Sequence, residues 1–254
     1  MKKILVLMLA LVAALPAFAA QYEMPFLNMV VPSGLEQNQM YFNFEHKFYQ
    51  ALNRYPSNDP FAVLNNGANL NVSLRYMPLE GLEVNAGYSS RQKEKLIGAS
   101  YAMKMPALYF NWQAGLQFFS YEDTAFTQAS QNLYYYIALQ SVPFLEELLS
   151  VSLDLSYDGY EGMFGMAAGL SVAVIKNLSV VAEFYPYFEG GGEDTAVTSE
   201  KFPVYAFGLI YRTSGHQFML KFSNSPEMGM RRMNCGADSL DLYAGISIMR
   251  LIEF

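Results

Sequence analysis

The feature that most constrains the fold is a period-two alternation of apolar and polar residues along most of the chain. In "YFNWQAGLQFF" one face carries Phe110, Trp112, Ala114, Leu116 and Phe118, and the other carries Asn111, Gln113, Gly115 and Gln117. The same alternation recurs in "MYFNFEHKF", "ANLNVSLRY", "NLYYYIALQ" and "SVSLDLSYD". Because successive side chains of a β-strand point to opposite faces, this pattern predicts an all-β protein. We count about twelve such strands, and the last is "LDLYAGISIMRLIEF".

The two faces of these strands differ in a way that favours a lipid environment. The apolar face carries Phe, Tyr, Trp and Leu, whereas the opposite face is polar and includes small residues at Gly87, Gly98, Gly115, Gly169, Gly208 and Gly245. A water-soluble β-sandwich also alternates, but it buries its large apolar side chains and exposes charge. Hydrophobic residues make up 52% of the chain, yet no apolar run after residue 19 reaches the ~18 residues of a membrane-spanning helix. The sequence therefore predicts an antiparallel transmembrane β-barrel of about twelve strands.

The spacers between the strands alternate in length, which predicts the orientation of the barrel. One set is short and includes "PLEG", "MP", "IKNL" and "TSG", with a somewhat longer "VPFLEELL". The other set is mostly longer and covers 49–67, 121–131, 188–203 and 225–238, with two short members near Gln92 and Gly159. Outer-membrane barrels have short periplasmic turns and longer outer loops. We therefore expect both chain termini on the periplasmic side.

The first 38 residues precede the predicted barrel. "MKKILVLMLALVAALPAFAA" has two lysines, an apolar run and an Ala17-Phe18-Ala19 motif, which predicts a secretory signal peptide over residues 1–19, cleaved after Ala19. Residues 20–38 form an N-terminal segment that is a candidate plug for the lumen, and residues 39–254 form the barrel domain. The expected location is the bacterial outer membrane.

Several segments resemble a known family. "GHQFMLKFSNS", "LSVVAEFYPY", "FNFEHKF" and the closing "GISIMRLIEF" resemble an uncharacterised family of bacterial outer-membrane β-barrels, a domain of unknown function. The resemblance would span most of the chain after the signal peptide. It implies a barrel and implies no activity, because the family supplies no catalytic residues to transfer.

The sequence contains no catalytic constellation that survives a geometric test. His216 and Ser223 lie seven positions apart in one predicted strand, about 24 Å apart and on opposite faces, so they cannot form a Ser-His pair. His46 is expected near the outer end of the first strand and His216 at the periplasmic boundary, so we predict no metal site and no cofactor. The single Cys235 forms no internal disulfide, and the net charge of −7 argues against nucleic acid as a partner.

Charged residues on the polar face are the candidate functional residues. They are Glu45, Lys47, Arg75, Glu83, Arg91, Lys104, Asp154, Asp158, Glu183, Arg212, Lys221 and Asp241. Arg75 and Glu83 flank a tight turn and are expected to face each other across the hairpin. Two interpretations fit the whole set: an internal ion-pair network that fills a narrow lumen, or a charge-lined solute path.

The last strand carries a candidate assembly signal. Phe254 and Ile252 resemble the terminal signal of outer-membrane barrels, although Met249 stands where that signal usually has Gly and Arg250 interrupts the lipid face. The residues expected to face lipid are Phe254, Ile252, Ile248, Ile246 and Leu242. The expected partners are membrane lipid and the barrel assembly machinery. We predict a non-enzymatic barrel that forms a narrow channel for small solutes; the alternatives are a structural or surface-interaction barrel with an occluded lumen and, third, an acyl hydrolase.

Overall fold

The computed structural model describes residues 26–54, 67–105, 109–122, 131–144, 148–159, 162–188 and 201–254. The predicted signal peptide lies outside these residues. The described elements are twelve strands, a 3₁₀ helix (Arg91–Lys93) and a one-turn helix, α1 (Met230–Met233). The strands are β1 (Gln39–Ala51), β2 (Ala68–Leu79), β3 (Leu82–Ser89), β4 (Glu94–Met105), β5 (Phe110–Ser120), β6 (Gln131–Ser141), β7 (Leu149–Asp158), β8 (Met163–Ile175), β9 (Leu178–Tyr185), β10 (Val204–Arg212), β11 (His216–Ser223) and β12 (Tyr243–Glu253).

The twelve strands form one closed antiparallel barrel, as the alternation predicted. Each strand pairs with its sequence neighbours, and β12 pairs with β1 to close the sheet. In that closing pair Gln39 lies opposite Glu253 and Lys47 lies opposite Gly245. Closure leaves no unpaired sheet edge, which explains why the chain can finish in an apolar strand.

The connections at the two ends of the barrel differ in length, as predicted. At the end that contains Gln39 and Glu253, here called the turn end, Glu80 and Gly81 connect β2 to β3, and residues 176–177 connect β8 to β9. Gly81 takes a φ of 79° in its turn, a conformation that glycine adopts without steric cost. At the opposite end, here called the loop end, the connections include residues 186–203 and 224–242.

The exterior of the barrel is apolar. The residues of β6 and β7 that point outward, including Leu133, Ile137 and Leu155, are exposed, whereas their neighbours that point inward are buried. Exposed aromatic rings mark both ends of the barrel. They are Tyr157, Phe164 and Tyr205 near the loop end and Phe110, Phe218 and Phe254 near the turn end. Such a band with aromatic margins is typical of barrels embedded in a bilayer. None of the helices in the described part of the chain has the length and apolar content needed to cross a membrane.

The core lies inside the barrel and is built from two chain segments that enter the lumen. Residues 26–38, here called the inner segment, run through the lumen to the start of β1 at the turn end. Residues 224–242, here called the outer segment, fold back into the lumen from the loop end and contain α1. One buried apolar cluster joins inner-segment residues such as Phe26 and Met29 to Met230 and Met233 of the outer segment.

Candidate functional site

The predicted lumen charges occupy three kinds of position. Ten of them lie on strands with inward parity: Glu45, Lys47, Arg75, Glu83, Lys104, Asp154, Asp158, Glu183, Arg212 and Lys221. Most of these are buried, but Lys104 is exposed near the turn end. The placement of the other two on strands was wrong. Arg91 lies in the 3₁₀ helix because β3 ends at Ser89, and Asp241 lies in the outer segment because β12 begins at Tyr243.

Glu183 of β9 binds the backbone of the inner segment. Its Oε1 accepts hydrogen bonds from the backbone N–H groups of Leu27 (2.5 Å) and Asn28 (2.9 Å). Its Oε2 accepts from the side-chain amide of Asn28 and from the hydroxyl of Tyr185, both at 2.9 Å. Successive backbone N–H groups form a concave site that suits an anion. One buried carboxylate therefore holds the start of the inner segment against the wall.

Lys221 of β11 holds the same stretch from another side. Its Nζ donates to the Leu27 carbonyl oxygen at 2.5 Å and forms an ion pair of 2.8 Å with Glu45 of β1. Both side chains of this pair are almost fully buried. Lys47, which is also buried, donates from Nζ to the Ser223 hydroxyl at 2.5 Å. These bonds give each buried charged group a polar partner, because an unpaired charge inside the lumen would be costly.

Arg75 and Glu83 meet across the β2–β3 hairpin, as predicted from their spacing about the turn. The Arg75 Nε and Nη2 atoms each lie 2.8 Å from a carboxylate oxygen of Glu83. The Nη2 atom also donates to the Val31 carbonyl oxygen at 3.4 Å. The pair therefore connects the wall of the barrel to the inner segment.

The outer segment is clamped to the wall by ion pairs that sequence reasoning missed. Arg231 in α1 binds Glu94 of β4 at 2.5 Å and Asp158 of β7 at 3.0 Å, and its guanidinium lies 4.5 Å from the centre of the Phe119 ring. Arg232 also binds Glu94, at 2.6 Å. Burial lowers the pKa of Arg231, but the neighbouring carboxylates outweigh it, and the pKa is raised. The sequence signal that could have predicted this clamp is the "MRRM" motif, in which two methionines flank two arginines.

Further ion pairs lie at the loop end, and two of them involve residues predicted to line the lumen. Arg91 binds Glu227 of the outer segment at 2.9 Å, and Arg54 binds Asp241 at 2.5 Å. The hydrogen bond from Arg54, supported by one from Ser239, lowers the pKa of Asp241. Of the two misplaced residues, Arg91 therefore pairs with the outer segment and Asp241 belongs to it.

The histidines do not combine with the lumen residues. His46 lies between the rings of Phe44 and Phe48 on the outward parity of β1, and His216 stacks on Phe218 at the start of β11. Ser223 is fully buried at the other end of β11, so it lies far from His216, as the strand geometry predicted. Within the described residues, no three His, Cys, Asp or Glu side chains come together in a way that would hold a metal ion.

Several cavities lie beside the inner segment, and three of them lie at different heights of the barrel. The first, of about 160 Å³, lies at the loop end and is lined by Asn69, Asn71 and Glu94 among others. The second, of about 140 Å³, lies at mid-height and is lined by Asn71, Ser73, Arg75 and Lys221 among others. The third, of about 590 Å³, lies at the turn end and is lined by Ser33, Met77 and Lys104 among others.

Comparisons with known proteins agree with this architecture. A family model described as "Membrane bound beta barrel domain (DUF5777)" matches residues 122–239, which include "LSVVAEFYPY" and "GHQFMLKFSNS" but neither "FNFEHKF" nor the closing strand. The match is therefore shorter than the resemblance predicted from the sequence. A search of the curated proteins returned no match.

Several solved structures share the fold at low sequence identity. The KdgM porin in complex with disordered oligogalacturonate matches with a TM-score of 0.57 and 12% identity, over 83% of this chain and 98% of that chain. The NanC porin matches with a TM-score of 0.55 and 9% identity, over 83% of this chain and 99% of that one. The COG4313 outer membrane channel from Pseudomonas putida F1 matches with a TM-score of 0.52 and 10% identity, over 88% and 100% of the two chains. The chain therefore has a porin-like, membrane-bound β-barrel fold and, as its motifs predicted, resembles an uncharacterised family of membrane β-barrel domains.

Proposed function

We propose that the chain is an outer-membrane β-barrel that passes small solutes and that the two segments inside its lumen narrow the path. The observation that carries this proposal is the way in which the lumen is filled. The lumen is occupied by two chain segments, attached at polar points such as Glu183, Lys221 and Arg231, and not only by the side chains of the strands. A twelve-stranded barrel is wide enough to contain a chain segment, and removal of that segment would leave a pore.

The proposed location and partners rest on sequence features and on the exterior. The predicted signal peptide, cleaved after Ala19, and the alternation of short and long connections support insertion in the outer membrane with the turn end in the periplasm. The exposed apolar band supports contact with lipid. We propose that the last strand, with Ile252 and Phe254, is the part that the barrel assembly machinery recognises.

The experiment is planar-bilayer recording of the purified wild-type protein and of a variant that lacks residues 26–36. We expect a small conductance from the wild type and a larger one from the deletion variant, because the deletion removes the inner segment but keeps β1. Heat-modifiable migration on a gel is the control that each variant is a folded barrel. No discrete conductance from either folded protein in any salt would exclude the channel.

The second candidate function is a structural or surface-interaction barrel that never opens. The observation that favours it is the apolar cluster in which Phe26 and Met29 pack with Met230 and Met233, because this cluster joins both segments into one core. This candidate predicts that the wild type is silent and that only the deletion variant, whose lumen has been emptied, conducts. An acyl hydrolase is the third candidate, and we propose that the protein has no such activity. Acyl-ester hydrolysis by the wild type that is lost in Ser223→Ala or His216→Ala would overturn that statement.

A further inference from the structure

The inner segment occupies the lumen off centre. Its first residues are held by Glu183 of β9 and Lys221 of β11 and face glycines of β8 and β10, whereas its later residues Val31 and Asn38 contact β2. A Cβ atom at Gly169 would lie 2.5 Å from the Phe26 ring, so the wall and the segment are in direct contact there. Inward residues of β6 to β11 are accordingly buried, including Asp154, Val181 and Ile210.

The opposite wall, formed by β1 to β3, remains partly solvated. The inward residues Asn43, Asn71, Ser73, Arg75 and Asn85 are half-buried, whereas other inward residues of these strands are buried, namely Tyr41, Glu45, Lys47, Asn69, Met77 and Glu83. On β2 the inward positions Asn69, Asn71, Ser73, Arg75 and Met77 follow each other from the loop end to the turn end. They span about 27 Å along the strand at about 3.4 Å per residue.

The three cavities lie in sequence along this face of β2. The cavity at the loop end is lined by Asn69 and Asn71, the cavity at mid-height by Asn71, Ser73 and Arg75, and the cavity at the turn end by Met77. The first two also share Asn28 and Gly229 and therefore adjoin each other. The second and third share no lining residue. Between them lie the Arg75–Glu83 ion pair and the Val31 carbonyl that Arg75 contacts.

The lining indicates which solutes this path would accept. Asn71 and Ser73 offer both hydrogen-bond donors and acceptors. The charged residues that line the cavity at mid-height are Glu45, Arg75 and Lys221, and each is in an ion pair with an opposite charge. A path with paired charges and neutral polar groups replaces the hydration of an uncharged polar solute better than that of a free ion.

We propose that water and small uncharged polar solutes cross the barrel along the inward face of β2 and past the Arg75–Glu83 pair, while the inner segment stays in place. The proposal rests on the channel function above and adds the route, the class of solute and the constriction. Arg75 and Glu83 set the selectivity of this route, since they are the charged pair at the constriction, where the buried side chains of Val31, Tyr41 and Met77 also pack.

The test of the route is cysteine accessibility in proteoliposomes, in a Cys235→Ser background. Ser73→Cys places a thiol on the proposed path, and Ser152→Cys is its matched control, because Ser152 also points inward but is buried on β7 and lines none of the three cavities. A small charged methanethiosulfonate reagent should slow glycerol-driven swelling severalfold for Ser73→Cys and leave Ser152→Cys unchanged. Equal block at both positions, or at neither, would overturn the route while leaving the channel intact.

The test of the constriction is the ion selectivity of Glu83→Gln. Loss of the carboxylate removes the negative charge beside Arg75 and leaves a net positive charge on the path, so the ratio of chloride to potassium permeability, obtained from the reversal potential in a KCl gradient, should rise severalfold. Asp154→Asn removes a buried lumen carboxylate away from the path and should change the ratio little.

If Glu83→Gln does not fold, the double variant Arg75→Glu with Glu83→Arg keeps the pair and should retain the wild-type ratio. An unchanged ratio in Glu83→Gln, or an equal change in Asp154→Asn, would refute the constriction. Silence of the wild type and of the variant lacking residues 26–36 would instead refute the channel function itself.

Discussion

Glu183 shows how one side chain can hold a chain segment without recognising its side chains. Its carboxylate accepts hydrogen bonds from the backbone of Leu27 and Asn28, and the Asn28 amide adds one contact from a side chain of the segment. Each hydrogen bond to a charged group contributes about 1.5–3 kcal/mol, whereas an unsatisfied buried carboxylate is costly. The position of the inner segment therefore depends on this one buried charge more than on any single apolar contact.

We predict that Glu183→Gln loosens the inner segment without unfolding the barrel. The neutral amide keeps one acceptor but loses the charge that strengthens these bonds, so hydrogen exchange across residues 26–38 should become about tenfold faster or more. Glu253→Gln is the control, because Glu253 is exposed at the turn end and only accepts a bond from the Gln39 side chain. Equal exchange in the wild type and Glu183→Gln would contradict the assigned role.

Gly169 offers a second test at the scale of single residues. A Cβ atom there would lie 2.5 Å from the Phe26 ring and 2.6 Å from the Met29 sulfur, so Gly169→Ala forces the inner segment to shift. Overpacking of this kind costs about 1–3 kcal/mol, which urea unfolding of the refolded barrel would measure. Gly87→Ala is the matched control on the solvated wall, where the nearest atom is 3.4 Å away. A smaller loss of stability in Gly169→Ala than in Gly87→Ala would argue against a packed interface at β8.

At the scale of elements, the outer segment is held by ion pairs in addition to the buried side chains of Met230 and Met233. Its helix α1 has only one turn, which is too short to be stable by itself. Arg231 stabilises the helix, because it forms ion pairs with both Glu94 on β4 and Asp158 on β7 at the loop end of the lumen. The pair from Arg91 to Glu227 adds a second attachment.

We predict that Arg231→Ala releases the outer segment from the wall. The substitution leaves the buried Asp158 carboxylate without its guanidinium partner, and breaking a buried pair costs about 3–5 kcal/mol. Hydrogen exchange over residues 230–242 should therefore increase strongly. Arg54→Ala removes a pair whose guanidinium is exposed, and Asp241 keeps its bonds from Asn53 and Ser239, so this variant should have little effect. A similar response of the two variants would mean that α1 is not the clamp.

The elements differ in how far the sequence alone predicts them. Alternation predicted the twelve strands, the inward parity of residues such as Asp154, and the Arg75–Glu83 pair, because all of these follow from local spacing. It did not predict the clamp at Arg231, because Glu94 lies 137 positions away in the chain. Likewise, Asn28 and Glu183 are 155 positions apart. Alternation states which face a side chain occupies and carries no information about what fills the space in front of it.

At the scale of the whole molecule, closure joins the first strand to the last. The β1–β12 pair runs from Gln39 and Glu253 to Lys47 and Gly245 and then shifts register before Ala51. Phe254 lies beyond this ladder, where its backbone N–H donates to the Asn38 carbonyl at 3.2 Å and its ring packs edge-on against Tyr76. Its side chain is 78% exposed, so it adds little to the packing of the finished barrel.

We predict that Phe254→Ala, or deletion of Phe254, lowers the amount of barrel inserted in the membrane while the stability of the inserted fraction stays close to that of the wild type. The reason is that an exposed ring contributes little to the folded state, so its effect would come from assembly. The measurement is the heat-modifiable band in membrane fractions. Phe110→Ala, another exposed aromatic at the turn end, is the control. Normal membrane levels of both Phe254 variants would exclude the assembly signal.

Because the inner segment lies off centre, the barrel tolerates amino-acid substitutions on one wall better than on the other. On β8 and β9, a new side chain at Gly169 or Glu183 would contact residues 26–29 directly. Such a substitution therefore needs a compensating change more than a hundred positions away. On β2, Asn71 and Ser73 are only half-buried, and their replacement costs little stability. The range of solutes that such a barrel accepts can therefore evolve by single substitutions along β2. On the strands that contact residues 26–29, a substitution would be retained only together with a second one in the inner segment.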